Sequence, residues 1–209
     1  MLREILPGVF HWSVVWPGWW SLESYFLRTP AGSVLVDPIE FTGLEPVDSA
    51  LDIRAIVLTD GWHERSARLF AKRAKAPIYV PVADADRFED FDRFHTYDDG
   101  DRLPCDLHAV GVPGVIPGEQ ALLSPVHGGT LFVGDALGTT GKWAPGGMVL
   151  GGHPKGHPVP AQTLSHLLDL QFANLLPGHG PPLIGDGKLR LQELIQSGVS
   201  TSTSTPRMS

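Results

Sequence analysis

The chain has 209 residues, of which 42% are hydrophobic, so it is long enough and apolar enough to bury the core of a single domain. Its formal net charge of −7 argues against a protein that wraps nucleic acid, and no apolar run approaches the ~20 residues of a membrane span. The single cysteine, Cys105, excludes an intrachain disulfide and a cysteine-based zinc site, and without a secretory signal we expect a cytoplasmic protein.

The first third of the chain is predicted to form mainly strands. Residues 9–14 are rich in β-formers, and a turn at residues 29–32 joins two further strands, 24–27 and 33–36, into a hairpin. The continuous apolar run at residues 53–59 is typical of a strand that is buried on both faces. The chain therefore begins as a sheet rather than as a helical bundle.

A helix is predicted after the buried strand. Apolar residues recur at helical spacing from Ala67 to Ala74, and Pro77 ends this pattern before a short β-like segment at residues 78–80. Residues 82–91 alternate acidic and apolar side chains in a way that suits a surface helix, and residues 98–101 form a predicted turn.

Strands and helices alternate again in the second half. Strands are predicted at residues 107–112, 120–124 and 130–133. Residues 137–159 are rich in glycine and proline and without periodicity, which is typical of a functional or mobile loop. Helical stripes follow at residues 164–172 and 191–195, and the Ser/Thr-rich tail at residues 200–209 predicts disorder. We expect a layered α/β protein with one domain at residues 1–199.

Polar residues follow four of the predicted buried strands, where ligand groups gather in α/β folds. They lie in segments 35–38, 58–65, 132–135 and 175–180, and a tight loop spans residues 112–119. In order and spacing these five segments resemble the five motifs of the metallo-β-lactamase superfamily, over about residues 8–195. The resemblance implies a four-layer αββα sandwich. It also implies hydrolysis of lactams, thioesters, lactones or phosphoesters, usually with one or two zinc or iron ions.

Few of the metal ligands that the resemblance implies are kept. Asp135 and His179 stand at two ligand positions, and Asp37 stands at a mainly structural one. The remaining ligand positions are substituted, by Asp60, Trp62, Glu64, Arg65 and Val115. Because zinc catalysis needs about three protein ligands and an open position, we expect no dinuclear zinc centre.

Two interpretations of the site remain open. In the first, no cofactor binds: Arg65 pairs with Asp135 or Glu64 in place of a metal, and the cleft is a small-molecule-binding module. In the second, Glu64, Asp135 and His179 hold a single zinc, iron or manganese ion, and the protein hydrolyses an ester, lactone or thioester with Asp60 as general base. A third, metal-free hydrolase would use Asp135 to orient His179.

Aromatic residues lie in the segments that the resemblance places around the cleft. The predicted pocket contains Trp19, Trp20, Trp62, His63, Val115 and Trp143. His63 stands at a variable motif position and is expected to line the pocket without ligating, and His153 and His157 are interpreted as surface-loop residues. The aromatic rim indicates an apolar or planar small-molecule ligand or the interface of a homodimer. Neither a nucleic-acid nor a membrane partner is expected.

Overall fold

The fold was analysed in a computed structural model, which describes residues 2–15, 21–40, 52–113, 116–139, 149–150 and 160–198. The tail predicted to be disordered lies outside these residues. No helix in the described ranges is long and apolar enough to cross a membrane.

The first sheet contains seven strands, arranged side by side in chain order. They are β1 (Arg3–Leu6), β2 (Val9–Val15), β3 (Ser21–Thr29), β4 (Gly32–Val36), β5 (Ile53–Val57), β6 (Ile78–Pro81) and β7 (Phe94–Tyr97). Strands β1 to β4 are antiparallel, and β4 to β7 are parallel. The predicted hairpin and the predicted buried strand are both confirmed, as β3–β4 and β5.

The second sheet contains six strands. They are β8 (Arg102–Leu103), β9 (Leu107–Gly111), β10 (Gln120–Ser124), β11 (Thr130–Gly138), β12 (Val149–Leu150) and β13 (Asn174–His179). Strands β12, β11, β10, β9 and β8 pair in that order, and β13 runs parallel to β11. The predicted loop at residues 137–159 is therefore interrupted, because β12 pairs with the end of β11.

Among the described residues, two α-helices and five short 3₁₀ segments connect the strands. The α-helices are α1 (Ala67–Ala74) and α2 (Gly187–Gln196), and the 3₁₀ segments are Gly61–Glu64, Val82–Phe88, Pro104–Asp106, Val126–Gly128 and Ala161–Asp169. The predicted helices at residues 82–91 and 164–172 thus form as 3₁₀ segments, each beginning directly after a proline, Pro81 and Pro160.

The two sheets pack face to face around a shared apolar core. Buried residues Tyr25 and Val57 of the first sheet contact Leu122, Phe132 and Leu176 of the second. Alternation along each strand places these side chains on one face, so the opposite face of each sheet has to be covered by other elements.

Helices cover both outer faces. On the first sheet, Phe70 of α1 packs against Ile56 of β5. On the second, Leu191 of α2 and Leu164 of the 161–169 segment pack in the same cluster as Leu175 of β13. The order of layers is therefore helix, sheet, sheet, helix, which confirms the predicted αββα sandwich.

Tyr25 of the first sheet forms a side-chain hydrogen bond to the second sheet. The buried Tyr25 hydroxyl donates to the Pro177 carbonyl over 2.7 Å, and the Tyr25 ring packs edge-on against Phe132 with centroids 5.4 Å apart. Burial raises the pKa of Tyr25 well above its ordinary value, so the hydroxyl stays protonated and able to donate.

We predict that Tyr25→Phe lowers the free energy of unfolding by about 1 kcal/mol, since it removes one buried hydrogen bond without changing the ring. Urea denaturation measures the change. Tyr79→Phe is the matched control, because the Tyr79 ring packs against the same core while its hydroxyl has no hydrogen-bond partner among the described residues. Equal losses in the two variants would contradict a role for the inter-sheet bond.

Candidate metal centre

Four chain segments bring polar side chains to one edge of the sandwich. Asp37 follows β4, His63 lies in the 3₁₀ turn after β5, and His179 ends β13. Asp135 lies in β11 where its pairing with β13 is interrupted by a register shift. Because β4 and β5 are parallel, as are β11 and β13, the carboxyl ends of each pair meet at one edge, where α/β folds bind ligands.

Three of these side chains converge on one point. Asp135 Oδ1 lies 2.9 Å from His179 Nε2 and 3.1 Å from His63 Nε2. The three candidate ligand atoms lie within 4.8 Å of one another, and the two imidazole rings meet edge to face, 5.5 Å apart. Within the described ranges no other group of three His, Cys, Asp or Glu side chains comes this close.

Both imidazoles are fixed through their other ring nitrogen. His179 Nδ1 lies 3.0 Å from the Ser21 carbonyl, which can only accept, so this nitrogen carries a proton. His63 Nδ1 lies 2.8 Å from Asp37 Oδ2. These outer contacts point both Nε2 atoms at Asp135, as carboxylate and carbonyl partners do for histidines that bind metals.

Asp37 is positioned by its own network. Its backbone adopts a positive φ of 47°, and its two carboxylate oxygens accept from the Thr59 amide at 2.9 Å and the Thr59 hydroxyl at 2.7 Å. The Ser24 hydroxyl donates to the Asp37 carbonyl at 2.7 Å. The predicted structural role of Asp37 thus takes a definite form, since it ties the ends of β4 and β5 to the His63 ring.

Neighbouring charges outweigh burial in setting the pKa values of Asp135, Asp37 and His63. Burial alone would raise the pKa of Asp135, but His63 and His179 outweigh it and hold this pKa well below its ordinary value. His63, Arg65 and Thr59 likewise outweigh burial and lower the pKa of Asp37. Burial and Arg65 would lower the pKa of His63, but the surrounding Asp60, Asp37 and Asp135 raise it well above its usual value.

Asp60 builds the turn that carries His63. Its Oδ1 accepts from the amides of Trp62 at 2.7 Å and His63 at 3.1 Å, which is N-capping of the 3₁₀ segment. Its Oδ2 is buried without a hydrogen-bond partner and lies 3.8 Å from His63 Nδ1. Burial raises the pKa of Asp60 to about 6. Because Asp60 is fully buried, the structure gives it a positioning role rather than the predicted role of general base.

The position in the convergent group that was predicted for Glu64 is occupied by its neighbour His63. Glu64 Oε1 accepts from Arg68 Nε at 2.6 Å on the surface of α1, and it is absent from the convergent group. The expectation that His63 lines the pocket without ligating stays a prediction, but its Nε2 faces Asp135 and belongs to the convergent group. The cause is local: the turn capped by Asp60 directs His63 inward and Glu64 outward.

Arg65 does not make the predicted pair with Asp135 or Glu64. Its Nη1 donates to the carbonyls of Glu23 and Asp37, and its Nη2 donates to the Gly178 carbonyl at 3.2 Å. Nη2 also lies 3.2 Å from His63 Nε2. Arg65 thus contacts the same histidine that belongs to the candidate metal centre. Its backbone has a positive φ, which sequence periodicity does not reveal.

The predicted aromatic pocket is described in part. Trp62 is 64% exposed and stacks against the Arg87 guanidinium, 5.1 Å from the ring centre, rather than against the convergent group. The remaining predicted pocket and loop residues lie outside the described residues, namely Trp19, Trp20, Val115, Trp143, His153 and His157.

A further buried acid, Glu119, contacts β11 beside Asp135 and was missed as a site residue from the sequence. Glu119 Oε1 accepts from the Ala136 amide at 2.7 Å, while its Oε2 is buried without a hydrogen-bond partner. Burial, together with Asp60 and Asp135, raises the pKa of Glu119 well above its ordinary value. A signal was present, because Glu119 is the last residue of the 112–119 loop in the resemblance and directly precedes the strand predicted at residues 120–124.

Comparison with known proteins identifies the family. The family model described as metallo-beta-lactamase superfamily matches residues 5–198. The chain belongs to this superfamily. No curated protein matches the chain at a significant level.

Solved structures of this superfamily share the fold. The structure of TTHA1623 in a di-iron-bound form is 22% identical, has a TM-score of 0.64, and aligns over 86% of this chain and 98% of its own. The metallo-beta-lactamase family protein TTHA1429 from Thermus thermophilus is 21% identical, with a TM-score of 0.63 and coverage of 93% and 80%. A metallo-beta-lactamase from Hirschia baltica is 14% identical, with a TM-score of 0.64 and coverage of 94% and 96%. At these identities the likeness concerns the fold alone.

We predict that Glu119→Gln gains stability relative to the wild type as pH rises. A buried acid with a raised pKa takes up a proton on folding, so the wild type loses stability above the acid's unfolded pKa, while glutamine keeps the Ala136 contact without ionising. The difference in unfolding free energy should grow by about 1.4 kcal/mol per pH unit from about pH 5 up to the folded pKa of Glu119.

Urea denaturation of both proteins between pH 4 and pH 8 measures this slope. Glu193→Gln, an exposed change on α2, controls for the loss of one carboxylate. A difference between Glu119→Gln and wild type that stays constant with pH would show that Glu119 is ionised in the folded protein.

Proposed function

We propose that the chain is a hydrolase that binds one divalent transition-metal ion through His63, Asp135 and His179. The observation that carries the proposal is the convergence of two imidazole nitrogens and one carboxylate oxygen within 4.8 Å. Two histidines and one carboxylate are a common donor set for catalytic zinc and for mononuclear iron, and both leave coordination positions open.

The surroundings of these side chains fit a bound ion. Each histidine has its Nδ1 engaged, by Asp37 for His63 and by the Ser21 carbonyl for His179, which leaves Nε2 for coordination. The related structure of TTHA1623 is a di-iron-bound form, which favours iron alongside zinc as the ion. Our proposal is restricted to one ion, because Asp60 caps its own turn and Glu64 pairs with Arg68.

The open side of the site determines how a substrate approaches. The side chains of Asp135 and His179 are 26% and 16% exposed, while that of His63 is only 4% exposed. An ester, lactone or thioester carbonyl would therefore reach the site over Asp135 and His179, with His63 forming the buried wall. A metal ion bound there supplies a Lewis acid and lowers the pKa of a coordinated water.

A second candidate function is a binding module that works without metal. It is favoured by the Arg65 guanidinium, which lies 3.2 Å from His63 Nε2 and places a fixed positive charge beside the cluster. In that case the site would hold an anionic or polar group of a small molecule by charge rather than by coordination. Metal binding distinguishes the two functions.

We predict that the purified protein binds one equivalent of zinc or iron. Asp135→Asn or His179→Ala should lower the affinity for the ion by at least about 100-fold, because each removes one of only three protein ligands. Titration against a chromophoric chelator measures the affinity. Glu64→Ala is the matched control and should bind like wild type, because Glu64 contacts Arg68 instead. Absence of binding in wild type would favour the binding module.

Catalysis provides a separate test. We predict that the metal-loaded protein hydrolyses at least one member of a panel of chromogenic esters, thioesters and lactones, and that Asp135→Asn loses at least about 100-fold in kcat/KM while Glu64→Ala retains it. Metal binding without turnover of any carbonyl substrate would retain the metal site and reject hydrolysis of this class.

A further inference from the structure

We infer that Arg65 competes with the metal ion for His63, and so sets how tightly this protein binds metal. The inference rests on the proposed metal site. It concerns a residue that is not one of the three proposed ligands. It starts from position: the Arg65 Nη2 atom lies 3.2 Å from His63 Nε2, which is the nitrogen that would coordinate the ion.

A metal ion on His63 and the Arg65 guanidinium would lie close enough to repel each other. A metal–imidazole bond is only ~2.0–2.1 Å long, so an ion on His63 Nε2 lies within a few Å of the guanidinium. The guanidinium cannot lose its proton in a protein, so its charge cannot be relieved by titration. An incoming ion must therefore be bound against the field of Arg65 or must displace Nη2 from the His63 ring.

Carbonyl groups hold the guanidinium in place without neutralising it. Nη1 donates to Glu23 and Asp37 of the first sheet, and Nη2 donates to Gly178 of the second. Within the described residues no carboxylate lies within ion-pair distance of Arg65. The positive charge therefore stays available to oppose a cation at His63.

The backbone of Arg65 is itself fixed in an uncommon conformation. Its φ of 43° and ψ of −112° lie outside the left-handed helical region and suit glycine better than a side chain with a Cβ. Such a conformation persists only where the surroundings hold it, and strained residues of this kind are concentrated at functional sites. Four contacts of one guanidinium, reaching both sheets and the His63 ring, supply that restraint.

A purely structural clamp would make the same carbonyl contacts, and metal affinity separates the two roles. Removal of a clamp lowers stability and leaves the affinity for metal unchanged or weaker. Removal of a competitor strengthens metal binding, whatever happens to stability. The decisive measurement is therefore the zinc dissociation constant of folded protein, determined by competition with a chromophoric chelator.

Arg65→Gln should bind zinc about 10- to 100-fold more tightly than wild type, because it removes the charge beside a coordinating nitrogen. Arg68→Gln is the matched control. It removes the same charge three residues away, where the side chain pairs with Glu64 and Asp90, and should stay within about 3-fold of wild type. If Arg65→Gln does not fold, Arg65→Gly removes the same charge and introduces a residue that suits this backbone conformation.

The outcomes separate this inference from the metal site itself. If Arg65→Gln and Arg65→Gly bind zinc no more tightly than wild type, while His179→Ala binds much more weakly, competition by Arg65 is overturned and the metal site stands. If no protein in the series binds zinc, the metal site is rejected and the inference is overturned with it. If Arg68→Gln tightens binding as much as Arg65→Gln, the effect is general charge rather than contact with His63, which also overturns the inference.

Discussion

The buried contact between the Asp37 carboxylate and His63 Nδ1 is the interaction on which the site depends. Both side chains are almost fully buried, and the same carboxylate accepts from the amide and the hydroxyl of Thr59. An uncompensated charge at this depth would be costly, whereas this carboxylate has three donors around it. The orientation of the imidazole is therefore determined by the ends of β4 and β5, not by the exposed edge of the site.

Close approach of the two sheets requires residues without side chains at two places. A Cβ on Gly178 would lie 2.5 Å from His63 Cε1, and a Cβ on Gly134 would lie 2.5 Å from Thr59 Oγ1. Gly178 lies in β13 and Gly134 lies in β11, and each faces the segment from Thr59 to His63. Each therefore allows the second sheet to bring its own member of the convergent group, His179 or Asp135, against the first.

The layered fold, most of its strands and two of the three convergent residues could be predicted from the sequence. Asp135 and His179 follow buried strands at positions that match the family motifs, so their proximity follows from the fold. His63 and Arg65 could not be placed in the same way. Their orientation depends on a capped 3₁₀ turn and on a positive φ, and neither leaves a periodic pattern in the sequence. Motif alignment, which assumes a fixed turn geometry, therefore placed Glu64 in the site, whereas the structure places the preceding residue, His63, there.

Asp60, His63 and Arg65 form one connected network. The carboxylate of Asp60 accepts from two amides of the following turn and fixes its shape. That shape turns His63 toward Asp135, and the chain then leaves the turn at Arg65 in a conformation that places the guanidinium against the same imidazole. A residue without an acceptor at position 60 would leave the turn uncapped, so the positions of His63 and Arg65 both depend on Asp60. One local turn therefore determines both which side chain joins Asp135 and His179 and where the guanidinium lies.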